Sequence, residues 1–146
     1  MGLKIFRVVW FLSVVAMLGT LLYGYAGWGE ELVIQESDME ETVIGREPLF
    51  YLLMGSFAVV NLLVYVVGKV VPSDLNFRAW FHGLIITINI FSIVAMNLIG
   101  VYNSNENFDF SRIEKIIYGS IILVLGWGGA WLFFAIYQKL FVKQAV

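Results

Sequence analysis

Few side chains in this chain can do chemistry, and their types restrict what that chemistry is. There is one histidine, His82, and no cysteine. A single imidazole excludes bis-histidine haem ligation and a His-rich metal site. The lack of thiols excludes disulfides, thiol catalysis and Cys-ligated zinc or iron–sulfur centres. No Gly-rich phosphate loop, nucleophile elbow or HExxH stretch occurs. The other polar candidates lie inside long apolar runs: Asn61, Asn89, Ser92 and Asn97. An amide in hydrocarbon needs a partner, because an unpaired one costs several kcal/mol. Interhelical hydrogen bonds, worth about 1 kcal/mol each, are the expected use, and a polar path lined by these residues is the sharper alternative. His82 lies near the start of an apolar run. It is expected as an interfacial side chain bonded near Asp74 or a lipid headgroup, rather than as a proton carrier.

Two other groupings invite chemistry. Glu36, Asp38, Glu40 and Glu41 form an acidic cluster, but EF-hand spacing and a turn glycine are absent. The cluster reads as a solvated acidic docking loop rather than a calcium site. Trp127 and Trp131 lie four apart, with Phe133 and Phe134 beyond. Such a stripe could stack on a quinone or lipid, but a helix-packing or lipid-facing surface is expected. The sequence predicts no catalytic residue, no cofactor and no metal.

The elements that must position these residues follow from composition. The chain has 146 residues, 60% hydrophobic and 14% charged. Soluble domains carry about 45–50% apolar and about 25% charged residues. A chain this short cannot bury that much apolar surface internally, so most of it is expected to face lipid. The net charge of −2, with no basic cluster, points away from nucleic acid. Four apolar runs reach the roughly 20 residues a bilayer needs: 5–27, 49–71, 80–102 and 116–141. Pro48 opens the second, at a favoured first-turn position. None carries a charge in its central part. The backbone must satisfy itself in hydrocarbon, so helices are predicted; alternating ten-residue barrel strands are not seen. Residues 1–146 read as a single four-span domain.

Orientation follows from the flanking cations. Lys4, Arg7, Lys69, Arg78, Lys139 and Lys143 lie on one side, and Arg46, Arg112 and Lys115 on the other. The six-cation side is expected to be cytoplasmic, with both termini inside a plasma or inner membrane. The first run resembles a signal peptide in outline, but Tyr23, Tyr25 and Trp28 read as an interfacial aromatic belt and predict a retained helix.

Helices in lipid associate through small and polar residues. Ser13, Thr20 and Gly24 are the candidate packing residues of the first span, and Gly119, Gly126 and Ala130 those of the fourth. Seven-residue spacing keeps such residues on one face of a left-handed crossing, and short loops favour antiparallel neighbours. The predicted fold is an all-α, antiparallel four-helix membrane bundle. Partial likenesses between the halves, such as Ser13–Met17 with Ser92–Met96, hint at duplication, but their offsets are inconstant.

Two outer loops are predicted, 28–47 and 103–115. In the first, Leu32–Gln35 and Thr42–Gly45 are β-prone and bracket a polar centre from Glu36 to Glu41. That pattern predicts a short acidic extracytoplasmic hairpin, which must lie on the bundle or on a partner to be stable. In the second, Ser111 and Glu114 have capping-box spacing, so a helix extension is predicted there.

These features predict a non-catalytic multi-pass membrane protein, an accessory, scaffold or assembly subunit with a protein partner or self-association in the bilayer. A small oligomeric carrier for an apolar or neutral ligand is the alternative. The orientation is open to test. A cysteine placed at Ser37 is expected to react with an impermeant thiol reagent on intact cells, and one at Ser73 to be protected; labelling at Ser73 alone would invert the topology.

Overall fold

The computed structural model describes residues 2–36, 41–104 and 110–137, and within them not the side chains of 35, 36, 41 and 110–114. It contains α1 (Gly2–Gly27), β1 (Glu31–Glu36), β2 (Glu41–Gly45), α2 (Arg46–Val70), α3 (Leu75–Tyr102) and α4 (Phe110–Tyr137). All four helices are long and apolar enough to cross a membrane. Each begins three to six residues before its predicted span. The extra turns are polar or interfacial sequence that helix propagation extends into once an apolar span is nucleated. Pro48 lies in the first turn of α2, where its missing N–H removes no intrahelical bond. The side chain of Asp74 caps α3 by accepting from the Phe77 N–H at 2.8 Å. The helical extension predicted from Ser111 is present as the start of α4, while the capping-box side chains lie outside the described residues.

Helix α3 is the centre of the molecule and packs against α1, α2 and α4. Its tightest neighbour is α1, and the two run parallel: Trp10 meets His82 at one end and Trp28 meets Gly100 at the other. Helices α2 and α4 run antiparallel to α3, as the pairings of Asn61 with Asn89 and Gly68 with Arg78, and of Trp127 with Gly83 and Trp131 with Phe77, show. Chain connectivity alone would favour only sequential antiparallel pairs, so the α1–α3 seam is a tertiary decision.

The seam between α3 and α4 inverts the expected distribution of small residues. A Cβ at Gly119 or Gly126 would meet nothing within 4 Å, and Ala130 is exposed on the same helix. The packed face of α4 instead carries Ser120 and Trp127. The small residue at this crossing is Gly83 on α3, where a Cβ would overlap the Trp127 ring. The reason is volume: an indole fills the space between two helices only if the facing position is empty. Reciprocal bonds lock the arrangement. Trp80 Nε1–H donates to the Trp127 carbonyl and Trp127 Nε1–H to the Trp80 carbonyl, both at 2.9 Å.

The β1–β2 hairpin is longer than predicted and antiparallel, from Glu31 opposite Gly45 to Glu36 opposite Glu41, with a bulge between Val33 and Gln35. It lies on the bundle. Leu32 is fully buried in the main apolar cluster with Met17, Leu21, Trp28, Leu49 and Met96. The Asn103 side chain completes the attachment: its Oδ1 accepts from the Val33 N–H at 2.7 Å, and its Nδ2 donates to the Val33 carbonyl at 3.0 Å. One amide thus replaces a missing neighbouring strand. Of the acidic docking residues, Glu36 and Glu41 close the described strands, while Asp38 and Glu40 lie outside the described residues.

The packing makes a contrast measurable in detergent. Gly83→Ala is expected to destabilise the α3–α4 seam by about 1–3 kcal/mol through overpacking. Gly126→Leu is expected to leave the melting temperature of the isolated chain unchanged. Equal effects from the two substitutions would mean that α4 is rotated from the arrangement described.

Candidate functional site

The polar side chains within the bundle converge at one junction of three helices. Asn61 on α2 and Asn89 on α3 form a reciprocal amide pair, each Nδ2 donating to the other Oδ1 at 3.1 Å. The second Asn89 proton goes to Ser13 Oγ on α1 at 2.9 Å. The second Asn61 proton goes to the Phe57 carbonyl at 3.0 Å. Trp10 Nε1–H donates to Asn61 Oδ1 at 2.9 Å, and the Ser13 hydroxyl donates to the Trp10 carbonyl at 2.7 Å. An asparagine amide offers two donors and two lone pairs. Asn61 therefore has every site filled, and Asn89 lacks at most one acceptor contact.

These groups are also sequestered. Asn89 is 1% exposed, Asn61 8% and Ser13 9%. The cavity beside Asn89, bounded by Met17, Phe57 and Ser92, holds only about 60 Å³. That is far below the roughly 300–1,000 Å³ of ordinary ligand sites. The arrangement is a three-helix clamp, strengthened by the low dielectric around it.

The remaining candidates separate from this junction. The Ser92 hydroxyl donates to the Ile88 carbonyl of its own helix at 2.9 Å. Asn97 lies on another side of α3; it is exposed and donates to the Ile93 carbonyl at 2.8 Å. A helix turns about 100° per residue, so the eight steps from Asn89 to Asn97 place the Asn97 side chain roughly 80° around α3 from Asn89. Thr20 donates to the Ala16 carbonyl at 3.0 Å and shares a shallow groove with Asn97. Gly24 seats a side chain rather than a helix. A Cβ there would come within 2.8 Å of the Trp28 ring, whose other edge rests on Gly100.

His82 is 4% exposed and two turns from Asn89. Its Nδ1 lies 2.6 Å from the Arg78 carbonyl. A carbonyl can only accept, so Nδ1 carries the proton and donates. The ring edge packs on Trp10 at 6.0 Å between centroids. The partner is thus the helix backbone and not Asp74, whose carboxylate is engaged at the start of α3. Among the described residues no group of three or more His, Cys, Asp or Glu side chains could hold a metal.

Trp131 stacks with Phe77 at 5.1 Å, Trp80 at 5.2 Å and Phe134 at 5.4 Å. With Phe6 of α1 and Trp127, the rings of Trp80, Trp131 and Phe134 border a cleft of about 600 Å³ where α1, α3 and α4 meet. Of the stripe, Trp127 and Trp131 are half-buried against α3, while Phe133 and Phe134 are exposed.

Sequence reasoning passed over Trp10, Gly83 and Asn103. Trp10 stands three residues before Ser13, one helical turn, which places its indole beside the same seam. Asn103 follows the third apolar run directly, where a polar side chain can reach both the last helical carbonyls and an adjoining strand. No protein-family model, curated protein or solved structure matches this chain.

The clamp is testable by a double-mutant cycle. Asn89→Leu alone strands the Asn61 amide and is expected to cost about 1–3 kcal/mol. Asn61→Leu combined with Asn89→Leu is expected to cost less than the two single losses together, by about 1 kcal/mol. Strict additivity of the melting data would show that the two amides do not interact.

Proposed function

We propose that this chain is a non-catalytic multi-pass membrane protein, an accessory, scaffold or assembly subunit of a larger membrane complex. Both termini lie in the cytoplasm and the hairpin on the outer face. The observation that carries the reading is the closed amide junction. The polar groups that could have served a substrate inside the bilayer are consumed in joining α1, α2 and α3. The nine Lys and Arg residues, six on the side of the termini and three on the side of the hairpin, support the orientation.

The surface of α4 supports a partner within the membrane. It is the least buried of the four helices, and Gly119, Gly126 and Ala130 lie open on it. Beside them Ile122 is 68% exposed and Phe133 76%. Lipid can cover such a face, but small residues between large ones also admit a close second helix. The inner face of the hairpin is taken up by its own bundle through Leu32 and Asn103, and Ile34 and Val43 face outward.

A second reading, a small oligomeric carrier for an apolar or neutral ligand, rests on the aromatic cleft. Its volume of about 600 Å³ falls within the usual range for ligand sites, roughly 300–1,000 Å³.

The readings separate on size and on ligand response. Extracted in mild detergent, the 16.6 kDa chain is expected to migrate in a larger species. Gly126→Leu is expected to release it from that species without lowering its melting temperature. Migration of the wild type as a lone chain would defeat the subunit reading. Saturable quenching of tryptophan fluorescence by an apolar ligand, lost in Trp131→Ala, would favour the carrier.

A further inference from the structure

Three helices each bring one cation to the same cavity. Arg7 of α1, Lys69 near the end of α2 and Arg78 in the first turns of α3 border a space of about 430 Å³ at the end of the bundle bearing the N-terminus. The inner wall is Trp10, Val64 and the buried His82. The floor is therefore apolar or neutral and the mouth is cationic. Among the described residues, no carboxylate forms an ion pair with these cations. The nearest acid in sequence, Asp74, is committed to the Phe77 N–H.

Arg78 is held in place. Its Nη1 donates to the Pro72 carbonyl at 3.2 Å, and its guanidinium lies over Gly68, where a Cβ would come within 3.5 Å of Nη2. Three cations converging on one cavity, with no carboxylate among the described residues paired to them, call for an anion with several acceptor oxygens, and a phosphate group answers that demand.

The location selects the source of the phosphate. The cavity lies where α1, α2 and α3 reach their charged ends, at the level where helices spanning a bilayer meet its headgroups. Basic clefts between membrane helices on that side are suited to anionic lipid headgroups. We propose that this cavity is a binding site for an anionic phospholipid. The phosphate is bound by Arg7, Lys69 and Arg78, and the acyl chains run along the exposed apolar surfaces of α1 and α2. Lys69 and Arg7 are exposed, so each can lay its methylenes on the helix and reach the phosphate. The site is independent of what the wider protein does.

Native mass spectrometry of the full chain in mild detergent tests this, with phosphatidylglycerol, phosphatidylcholine and inorganic phosphate as probes. Phosphatidylglycerol is expected to bind roughly tenfold more tightly than phosphatidylcholine. Arg7→Gln combined with Lys69→Gln is expected to remove that preference while keeping the melting temperature. Lys4→Gln combined with Lys115→Gln, an equal change of charge elsewhere, is expected to retain it. Equal retention of the two lipids by the wild type would overturn the site, and this needs no variant to fold. So would loss of preference in both double variants, which would indicate a diffuse charge effect. Saturable binding of inorganic phosphate without a preference for phosphatidylglycerol would assign the cavity to a soluble phosphate compound and overturn the lipid.

Discussion

The paired amides of Asn61 and Asn89 are the constraint around which the rest of the bundle is arranged. Apolar side chains from different helices gain little from each other where lipid tails are equally apolar, so contact between Leu and Val surfaces does not define a register. A buried amide does, because each of its donors and acceptors must meet a partner at a definite distance. Asn89 reaches α2 through Asn61 and α1 through Ser13, and Trp10 returns from α1 to Asn61. Sliding any of the three helices by one residue would break several of these bonds together. The parallel α1–α3 seam, which no connecting loop enforces, is held at this level.

Above and below the junction, register is maintained by indoles placed against glycines. Trp28 rests between Gly24 and Gly100 at one end, and Trp127 lies over Gly83 near the other. Each ring replaces lipid or void between two backbones with close contact, and each also has a polar edge that needs an acceptor. Trp127 and Trp80 meet that need by exchanging bonds with each other's carbonyl. The hairpin is held by a similar economy of groups: Asn103 supplies the donor and acceptor of an absent strand, and Leu32 supplies the apolar anchor.

This architecture divides the molecule into a closed part and an open part. Helices α1, α2 and α3 join Ser13, Asn61 and Asn89 in one buried junction, while α4 touches mainly α3 and leaves most of its circumference outward. The aromatic cleft and the cationic cavity both lie toward the end bearing the N-terminus, away from the hairpin. What remains for interaction is thus peripheral: a helix face, a cleft at its edge and a charged mouth between helix ends.

Length and hydropathy determined the four helices, because unbroken apolar runs of span length have no other way to satisfy their backbone. The β-prone runs Leu32–Gln35 and Thr42–Gly45 likewise determined the hairpin, and Pro48 and Asp74 marked helix beginnings. The junction was legible in part: Ser13, Asn61 and Asn89 stood out as polar residues in apolar surroundings. Their partners did not, since which helix lies beside which is absent from a one-dimensional pattern. Asn97 looked equivalent to Asn89 in composition but belongs to another side of α3. Gly119 and Gly126 looked like a packing ridge, yet the tertiary structure turned them outward and used Gly83 against Trp127. Small residues permit close approach without requiring it, so glycine spacing alone cannot choose a seam. The convergence of Arg7, Lys69 and Arg78 was decided only by the fold, because three cations on three helices share a site only when those helix ends come together.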